Sequence, residues 1–188
     1  MTKRLSEWIQ RRSTSRVTLL ALVIFILFIV LVLPRQTPME GEAGGDTQSP
    51  DLSFYYTADE LNRMAESYGA EGRQAYVRAR FSFDLIWPLV YTLFLSTSIS
   101  WLAKRGFLRN SPWQQANVVP VAGALLDLLE NLATSAVMIH YPRLLPITAQ
   151  LAGFFTLIKW ALVGGSFLLL LACLAAFVWN VLKGRRAK

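Results

Sequence analysis

Three long stretches of this chain carry no charged side chain, and they constrain its fold more than any other feature. They cover residues 17–34, 85–103 and 161–182. At about 1.5 Å per residue, helices of these lengths are sufficient or nearly sufficient to cross about 30 Å of hydrocarbon. Only 16% of the residues are charged and 54% are hydrophobic, whereas soluble domains carry about a quarter charged residues. The chain is therefore predicted to be a polytopic membrane protein.

A fourth apolar stretch, residues 117–139, differs because it contains carboxylates. Asp127, Glu130, Asn131 and Thr134 follow one another at helical spacing (i, i+3, i+4, i+7), so all four lie on one face of a helix. A carboxylate inside a bilayer costs roughly 2.5–3.5 kcal/mol on insertion scales. This face must therefore meet other helices or a wet cavity, and it is the strongest indication of function in the chain.

We predict an all-α membrane protein, a bundle of four transmembrane helices with a helical extracytoplasmic cap. In chain order the predicted segments are a basic interfacial segment (1–16), the first span (17–33), an extracytoplasmic linker (34–56), amphipathic extracytoplasmic helices (57–80), the second span (81–103), a cytoplasmic loop (104–116), the third span (117–139), an outer turn (140–149), the fourth span (150–182) and a cytoplasmic tail (183–188).

The distribution of lysine and arginine predicts the orientation. The two termini and the 104–116 loop carry most of these residues, whereas the acidic residues concentrate in the segment between the first and second spans. The positive-inside rule then places both termini in the cytoplasm, and the first span is a retained signal anchor in the plasma membrane. Trp8, Trp101, Trp113 and Trp179 fall near predicted cytoplasmic ends, and Trp87 and Trp160 near outer ends, as expected of aromatic belts.

The net charge of +7 is explained by topology signals and attraction to anionic lipid. The expected partners are membrane lipids and, as a further possibility, other membrane subunits or a second copy of the chain. No nucleic acid is expected. The single cysteine, Cys173, excludes disulfide exchange and multi-cysteine metal sites within one chain.

Local patterns predict further details outside and within the spans. Thr57 to Glu60 fits a capping box, and Gly69 is expected to end the helix that follows. A second helical pattern begins near Ala70 and runs without a break signal into the second span. Its first part, residues 66–80, is predicted to be a solvated amphipathic face over the outer mouth. The fourth span either projects beyond the bilayer or bends at Gly164-Gly165, where we expect close helix approach.

Counting outward from the cytoplasmic boundaries places several polar residues between mid-bilayer, where Asp127 falls, and the outer surface, where Asp84 falls. We predict that they converge in the outer half of the bundle, with Arg80 above and paired to Asp84 one helical turn away. The converging residues are Asp84, Tyr91, Asp127, Glu130, Asn131, Thr134, His140 and Lys159.

Two interpretations of this cluster stay open at the level of sequence. Either Lys159 pairs with Glu130 or Asp127 and the cluster only fastens helices together, or it is a site. A site could relay protons, or bind a small cationic or hydrogen-bonding molecule or a lipid headgroup. A metal held by Asp127, Glu130 and His140 is disfavoured because His140 lies about 15 Å along the helix from Glu130. No metal and no cofactor are predicted.

Three runs, YGAEGRQAYVRARFSFDLIWPLVY (68–91), LLDLLENL (125–132) and TLIKW (156–160), resemble an uncharacterised family of small prokaryotic multi-pass membrane proteins. The resemblance covers the second to fourth spans, roughly two-thirds of the chain. It implies that these polar elements belong together, but it implies no activity. A looser similarity to four-helix sterol-isomerase and sigma-2-type domains is one of architecture only.

The leading hypothesis is a non-enzymatic membrane protein whose cluster binds a small ligand, a lipid or a proton. One alternative is an integral-membrane enzyme acting on a lipid-soluble substrate, with Glu130 or Asp127 as acid/base and Lys159 as electrostatic partner. The other is a structural subunit of a membrane complex.

Overall fold

The computed structural model describes residues 2–34, 50, 53–108 and 111–186. Most of the predicted linker, residues 34–56, falls outside these ranges. The described helices are α1 (Thr2–Arg12), α2 (Ser15–Leu27, followed by π-helical turns at Phe28–Val32), α3 (Ala58–Ser67), α4 (Gly69–Arg80), α5 (Phe83–Gly106), a 3-10 helix (Pro112–Val118), α6 (Val119–His140) and α7 (Pro146–Arg186).

Among the described residues, four helical stretches are long and apolar enough to cross a membrane. They are Ser15–Val32, Gly69–Gly106, Pro112–His140 and Pro146–Gly184. Each contains one of the four predicted spans, apart from Leu33 at the end of the first. The predicted helical class and the four candidate spans are therefore confirmed by length and composition.

Two predictions about helix ends are confirmed, one at the start of α3 and one between α3 and α4. Thr57 accepts a hydrogen bond from the backbone of Glu60, and the Glu60 side chain accepts one from the backbone of Thr57. The backbone and side-chain hydrogen bonds from Thr57 hold the pKa of Glu60 below its ordinary value. Gly69 has φ +63°, a left-handed conformation that glycine adopts without a steric cost, and it separates α3 from α4.

The expectation of an unbroken helix from Ala70 into the second span is wrong. Helix α4 ends at Arg80, and a turn at Phe81 and Ser82 separates it from α5. The Ser82 hydroxyl donates to the Arg78 and Ala79 carbonyl oxygens, so a side chain takes over acceptors at the end of α4. The predicted solvated face also needs correction, because Tyr76 and Arg80 are buried.

Helix α7 runs unbroken through Gly164-Gly165 for 41 residues, about 60 Å at 1.5 Å per residue. A Cβ atom added to either glycine would meet nothing within 4 Å. The expectation that this pair permits close helix approach is therefore wrong. The close approach lies elsewhere on the same helix, at Gly153.

The chain divides into two compact units, which differ sharply in charge. One comprises Met1–Ile26, Val90–Ala122 and Leu162–Lys188, and the other Leu27–Leu89 and Gly123–Ala161. The first, here called the basic unit, contains 12 of the 19 lysines and arginines and a single acidic residue, Glu7. The second, here called the acidic unit, contains the remaining 11 of the 12 acidic residues.

The core of the acidic unit joins α3 and α4 to α6 and α7. Leu61 and Ala65 of α3 are completely buried, together with Ala149 and Ala152 of α7. Aromatic and aliphatic side chains from α4, α6 and the segment before α3 complete the cluster: Tyr56, Tyr68, Tyr76, Ala133, Val137 and Met138. Apolar burial of this kind contributes about 25 cal/mol per Å², so it fixes α3 against the two long helices.

Gly153 of α7 sits directly beneath the segment that enters α3. A Cβ atom at this position would lie 2.1 Å from the backbone oxygen of Tyr56, far inside van der Waals contact. The backbone can therefore approach α7 so closely only because residue 153 lacks a side chain.

We expect Gly153→Ala to displace the Tyr56 segment and to lower the unfolding free energy by about 1–3 kcal/mol, the usual cost of overpacking. Gly164→Ala is the matched control on the same helix, since its new methyl group meets nothing. Reversible denaturation in mixed micelles measures both. Equal effects of the two substitutions would contradict the packing described for Gly153.

Candidate functional site

Lys159 of α7 lies between two carboxylates of α6. Its Nζ is 2.5 Å from Glu130 Oε2 and 3.4 Å from Asp127 Oδ1. Asp127 and Glu130 are three residues apart on one helix face, which brings both carboxylates to the same lysine. Lys159 therefore pairs with both acids, whereas the fastening interpretation expected a pair with one of them.

Glu130 is completely buried, and its second oxygen is bound as well. Its Oε1 accepts a hydrogen bond of 2.6 Å from the Thr156 hydroxyl and one of 3.4 Å from the Tyr56 hydroxyl. The two hydroxyls are themselves 3.1 Å apart. One carboxylate therefore joins α6, α7 and the segment that leads into α3.

Asp127 has a less enclosed environment than Glu130. The side chain of Asp127 is 12% exposed to solvent, whereas that of Glu130 is 0% exposed. Its contact with Lys159 is also longer by about 0.9 Å, and a shorter charge-assisted contact is the stronger one. Asp127 is the more accessible of the two acids.

A second ion pair lies in the same unit, where α4 gives way to α5. Arg80 Nη1 is 2.8 Å from Asp84 Oδ2, and both side chains are largely buried. The Arg80 guanidinium also lies 4.4 Å from the centre of the Tyr76 ring. The predicted pair of Arg80 and Asp84 is confirmed.

Asn131 connects α6 to this second pair through the backbone. Its Nδ2 donates to the carbonyl oxygen of Asp84 over 3.4 Å. Its own Oδ1 is buried without a hydrogen-bond partner in the described part of the chain, as is the hydroxyl of Ser135 one turn further on. Buried polar atoms without partners cost about 1–3 kcal/mol each.

The remaining predicted members, Thr134, His140 and Tyr91, have other surroundings. The Thr134 hydroxyl donates to carbonyl oxygens of its own helix, at Glu130 and Asn131. His140 is exposed, and its Nδ1 bonds to the Ala136 carbonyl oxygen. Tyr91 is buried in the basic unit.

Sequence reasoning missed Tyr56 and Thr156, the two hydroxyls on Glu130. Thr156 precedes Lys159 by three residues, so its presence on the same helix face was readable from spacing. Tyr56 directly precedes the capping box at Thr57. Its position depends on where α3 packs, which no local pattern specifies.

The cluster contains charged side chains but few groups that could bind a metal ion. Among the described residues, no group of three or more histidine, cysteine, aspartate or glutamate side chains could hold a metal ion. The triad of Asp127, Glu130 and Lys159 sets two carboxylates against one ammonium group.

Comparisons with known proteins give no further guide. No family model, no curated protein and no solved structure matches the chain.

We expect Lys159→Met to destabilise the protein by about 3–5 kcal/mol, because it leaves the buried Glu130 carboxylate without its cation. The double variant Lys159→Met/Glu130→Gln should recover part of that loss. Lys183→Met, which removes an exposed lysine from the same helix, is the control and should change stability little. The unfolding free energies of the wild type, the two single variants and the double variant, measured in mixed micelles, form a double-mutant cycle. Strictly additive losses would show that the two side chains do not interact.

Proposed function

We propose that the chain is a four-span plasma-membrane protein with both termini in the cytoplasm, of the kind found in small prokaryotic multi-pass families. The division of charge supports this orientation. The basic unit contains both chain ends and most of the lysine and arginine residues, as the positive-inside rule requires of cytoplasmic segments. Trp8, Trp101, Trp113 and Trp179 belong to it, whereas Trp87 and Trp160 belong to the acidic unit.

In this arrangement the four spans form a bundle, and α3 and α4 cap it on the outer side. The charge-poor spans α2 and α7 expose many large apolar side chains, among them Leu19, Leu20, Leu168 and Leu171. In contact with lipid such exposure is favourable, and in water it would be costly. Membrane lipids are thus the immediate partners of the protein.

The proposed function of the polar cluster is the reversible binding of a proton. The observation that carries it is the two-to-one ratio of carboxylates to ammonium around Lys159. Buried like charges disfavour simultaneous ionisation, so a proton neutralises the excess charge. The titrating unit is then the coupled triad rather than one isolated side chain.

Asp127 is the proposed point of exchange within the triad. It is the more accessible acid and the one less tightly bound to Lys159. Glu130 and Lys159 then form the fixed pair beneath it. Asn131 Oδ1 and the Ser135 hydroxyl lie one turn apart on α6 and have no hydrogen-bond partner among the described residues. They supply further polar groups for a small hydrogen-bonding ligand or lipid headgroup that reaches the cluster.

A purely structural role is the second candidate, and one observation favours it. Glu130 is completely buried and holds three chain segments together through Lys159, Thr156 and Tyr56. Polar contacts between membrane helices each contribute about 0.6 kcal/mol on average. In this case the protein would serve as a subunit of a larger membrane assembly.

Enzymatic action on a lipid-soluble substrate has less support from the geometry. A substrate cannot meet Glu130 without displacing Tyr56 or Thr156, which cover its Oε1. Asp127 would have to be the general acid or base, with Lys159 beside it as electrostatic partner.

Proton release after a pH jump separates the binding role from the structural one. In weakly buffered detergent with an indicator dye, we expect the wild type to release about one proton per chain more than Asp127→Asn between mildly acidic and mildly alkaline pH. Asp59→Asn, which removes an exposed acid of the same unit, should release as many protons as the wild type. Identical release from all three proteins would refute proton binding and leave the structural role.

Cysteine accessibility tests the orientation independently. Cys173 is the only cysteine, so Cys173→Ala provides a background for single additions. We expect a membrane-impermeant maleimide to label Asp59→Cys in intact cells, and Thr2→Cys only after permeabilisation. The reverse pattern would overturn the proposed topology.

A further inference from the structure

The basic unit contains a cavity that none of the proposed roles uses. Its volume is about 840 Å³, and it lies between α1, the end of α5 and the start of the 3-10 helix. Volumes of about 300–1,000 Å³ are typical of small-molecule sites.

The charged lining of this cavity is strongly biased towards cations. Lys3, Arg11 and Lys104 line it together with one acid, Glu7. Glu7 is only weakly neutralised within the lining, since its nearest contact with Arg11 is 3.9 Å and both side chains are well exposed. The lining therefore carries a net charge of about +2, which favours an anion.

A buried polar network holds the wall of the cavity in place. The Ser6 hydroxyl of α1 donates to Asn117 Oδ1 at 2.7 Å, and Asn117 Nδ2 donates to the Ser6 carbonyl oxygen and the Ser100 hydroxyl. Ser6, Ser100 and Asn117 are each almost completely buried. The docking of α1 is thus specified by side-chain bonds as well as by apolar contact.

Two further lining residues, Gln10 and Gln114, add hydrogen bonds to this network, here called the frame of the cavity. Gln10 Nε2 donates to the Gln114 carbonyl oxygen at 2.5 Å, and Gln114 Nε2 donates to the Ala103 carbonyl oxygen at 2.9 Å. The basic side chains of α1 therefore project from a helix whose position is fixed by these hydrogen bonds. Because the frame is already formed, less ordering is required when a ligand binds.

Lys104 contributes to both the frame and the lining. Its ammonium group donates to the carbonyl oxygens of Gln10 and Ser13, at and beyond the end of α1. An ammonium group has three donors, and within the described residues two carbonyl oxygens accept from it, which leaves a donor for a ligand. Lys3 and Arg11 are exposed at the rim and can reach the same ligand with their long side chains.

The surface of α1 next to the cavity is suited to a membrane boundary. Leu5 and Trp8 remain exposed on α1, while Ser6 and Ile9 face inward and are buried. A helix with cations on one side and exposed Leu and Trp on another lies in a headgroup region. The cavity would then open where phosphate groups of lipids are concentrated.

From this geometry we propose that the cavity binds a phosphate-bearing anion through Lys3, Arg11 and Lys104. A phosphodiester headgroup of an anionic phospholipid and a free phosphate compound share this chemistry. Basic pockets between membrane helices on the cytoplasmic side are known to take anionic headgroups.

The test compares two double variants that lose the same charge. Lys3→Gln/Arg11→Gln removes two cations of the lining, whereas Arg16→Gln/Lys183→Gln removes two exposed cations of the basic unit that do not line the cavity. Neither pair belongs to the triad around Lys159. Full-length protein is placed in nanodiscs of phosphatidylcholine with increasing phosphatidylglycerol, and bound phosphatidylglycerol is counted by native mass spectrometry. A second arm titrates glycerol 3-phosphate into detergent-solubilised protein and measures binding by calorimetry.

We expect retention of phosphatidylglycerol to weaken about tenfold in Lys3→Gln/Arg11→Gln and to stay near the wild-type value in the control pair. Glu7→Gln should strengthen retention, because it removes the one opposing charge. Binding of glycerol 3-phosphate with the same dependence on variants identifies a free phosphate compound as a competent ligand, and retention of lipid alone identifies the headgroup. Equal weakening in both double variants, or no saturable binding in either arm, would overturn the proposal.

Discussion

A carboxylate that folding removes from water is stabilised by an opposite charge and by hydrogen-bond donors, and this constraint organises the acidic unit. Glu130 has no exposed surface and sits 2.5 Å from Lys159. An unpaired carboxylate at this place would cost several kcal/mol, so α6 and α7 are held in the register that brings the two side chains together. Thr156 adds a hydroxyl from the same face of α7.

The same carboxylate extends the constraint beyond the long helices. Tyr56 reaches Glu130 through its hydroxyl, and its backbone rests on Gly153 at a distance no side chain would permit. The capping box at Thr57 begins α3 immediately afterwards. The position of α3 therefore depends on three features together: the hydrogen bond from Tyr56 to Glu130, the missing side chain at Gly153, and the capping box at Thr57. Asp127 contacts the same lysine from the same face of α6.

Much of this arrangement was predictable from sequence, because its signals are local. Charge gaps predict three of the candidate spans and an apolar stretch predicts the fourth. Helical spacing predicts the shared face of Asp127 and Glu130 and the pair of Arg80 with Asp84. The capping box and Gly69 are equally local signals. The turn at Phe81 and Ser82 was not predicted, since it depends on a serine hydroxyl bonding back to α4, and many serines in helices make no such break.

The features that escaped prediction depend on tertiary packing. Gly164-Gly165 has the composition of a close helix contact and makes none, whereas the isolated Gly153 makes a very close one. Tyr56 lies in a segment without periodicity, and Ser6 bonds to Asn117, which lies 111 positions further along the chain. Spacing along one helix cannot reveal which residues of another segment will face it.

The most direct test of the triad is the ionisation state of its two acids. Carbon-13 labelling of aspartate and glutamate side chains, with assignment by Asp127→Asn and Glu130→Gln, allows solid-state NMR in lipid bilayers to follow each carboxyl carbon as pH changes. We expect Glu130 to remain ionised beside Lys159 and Asp127 to change between protonated and ionised forms. Two carboxylates that stay ionised throughout, or a Glu130 that titrates in place of Asp127, would contradict the roles assigned to them.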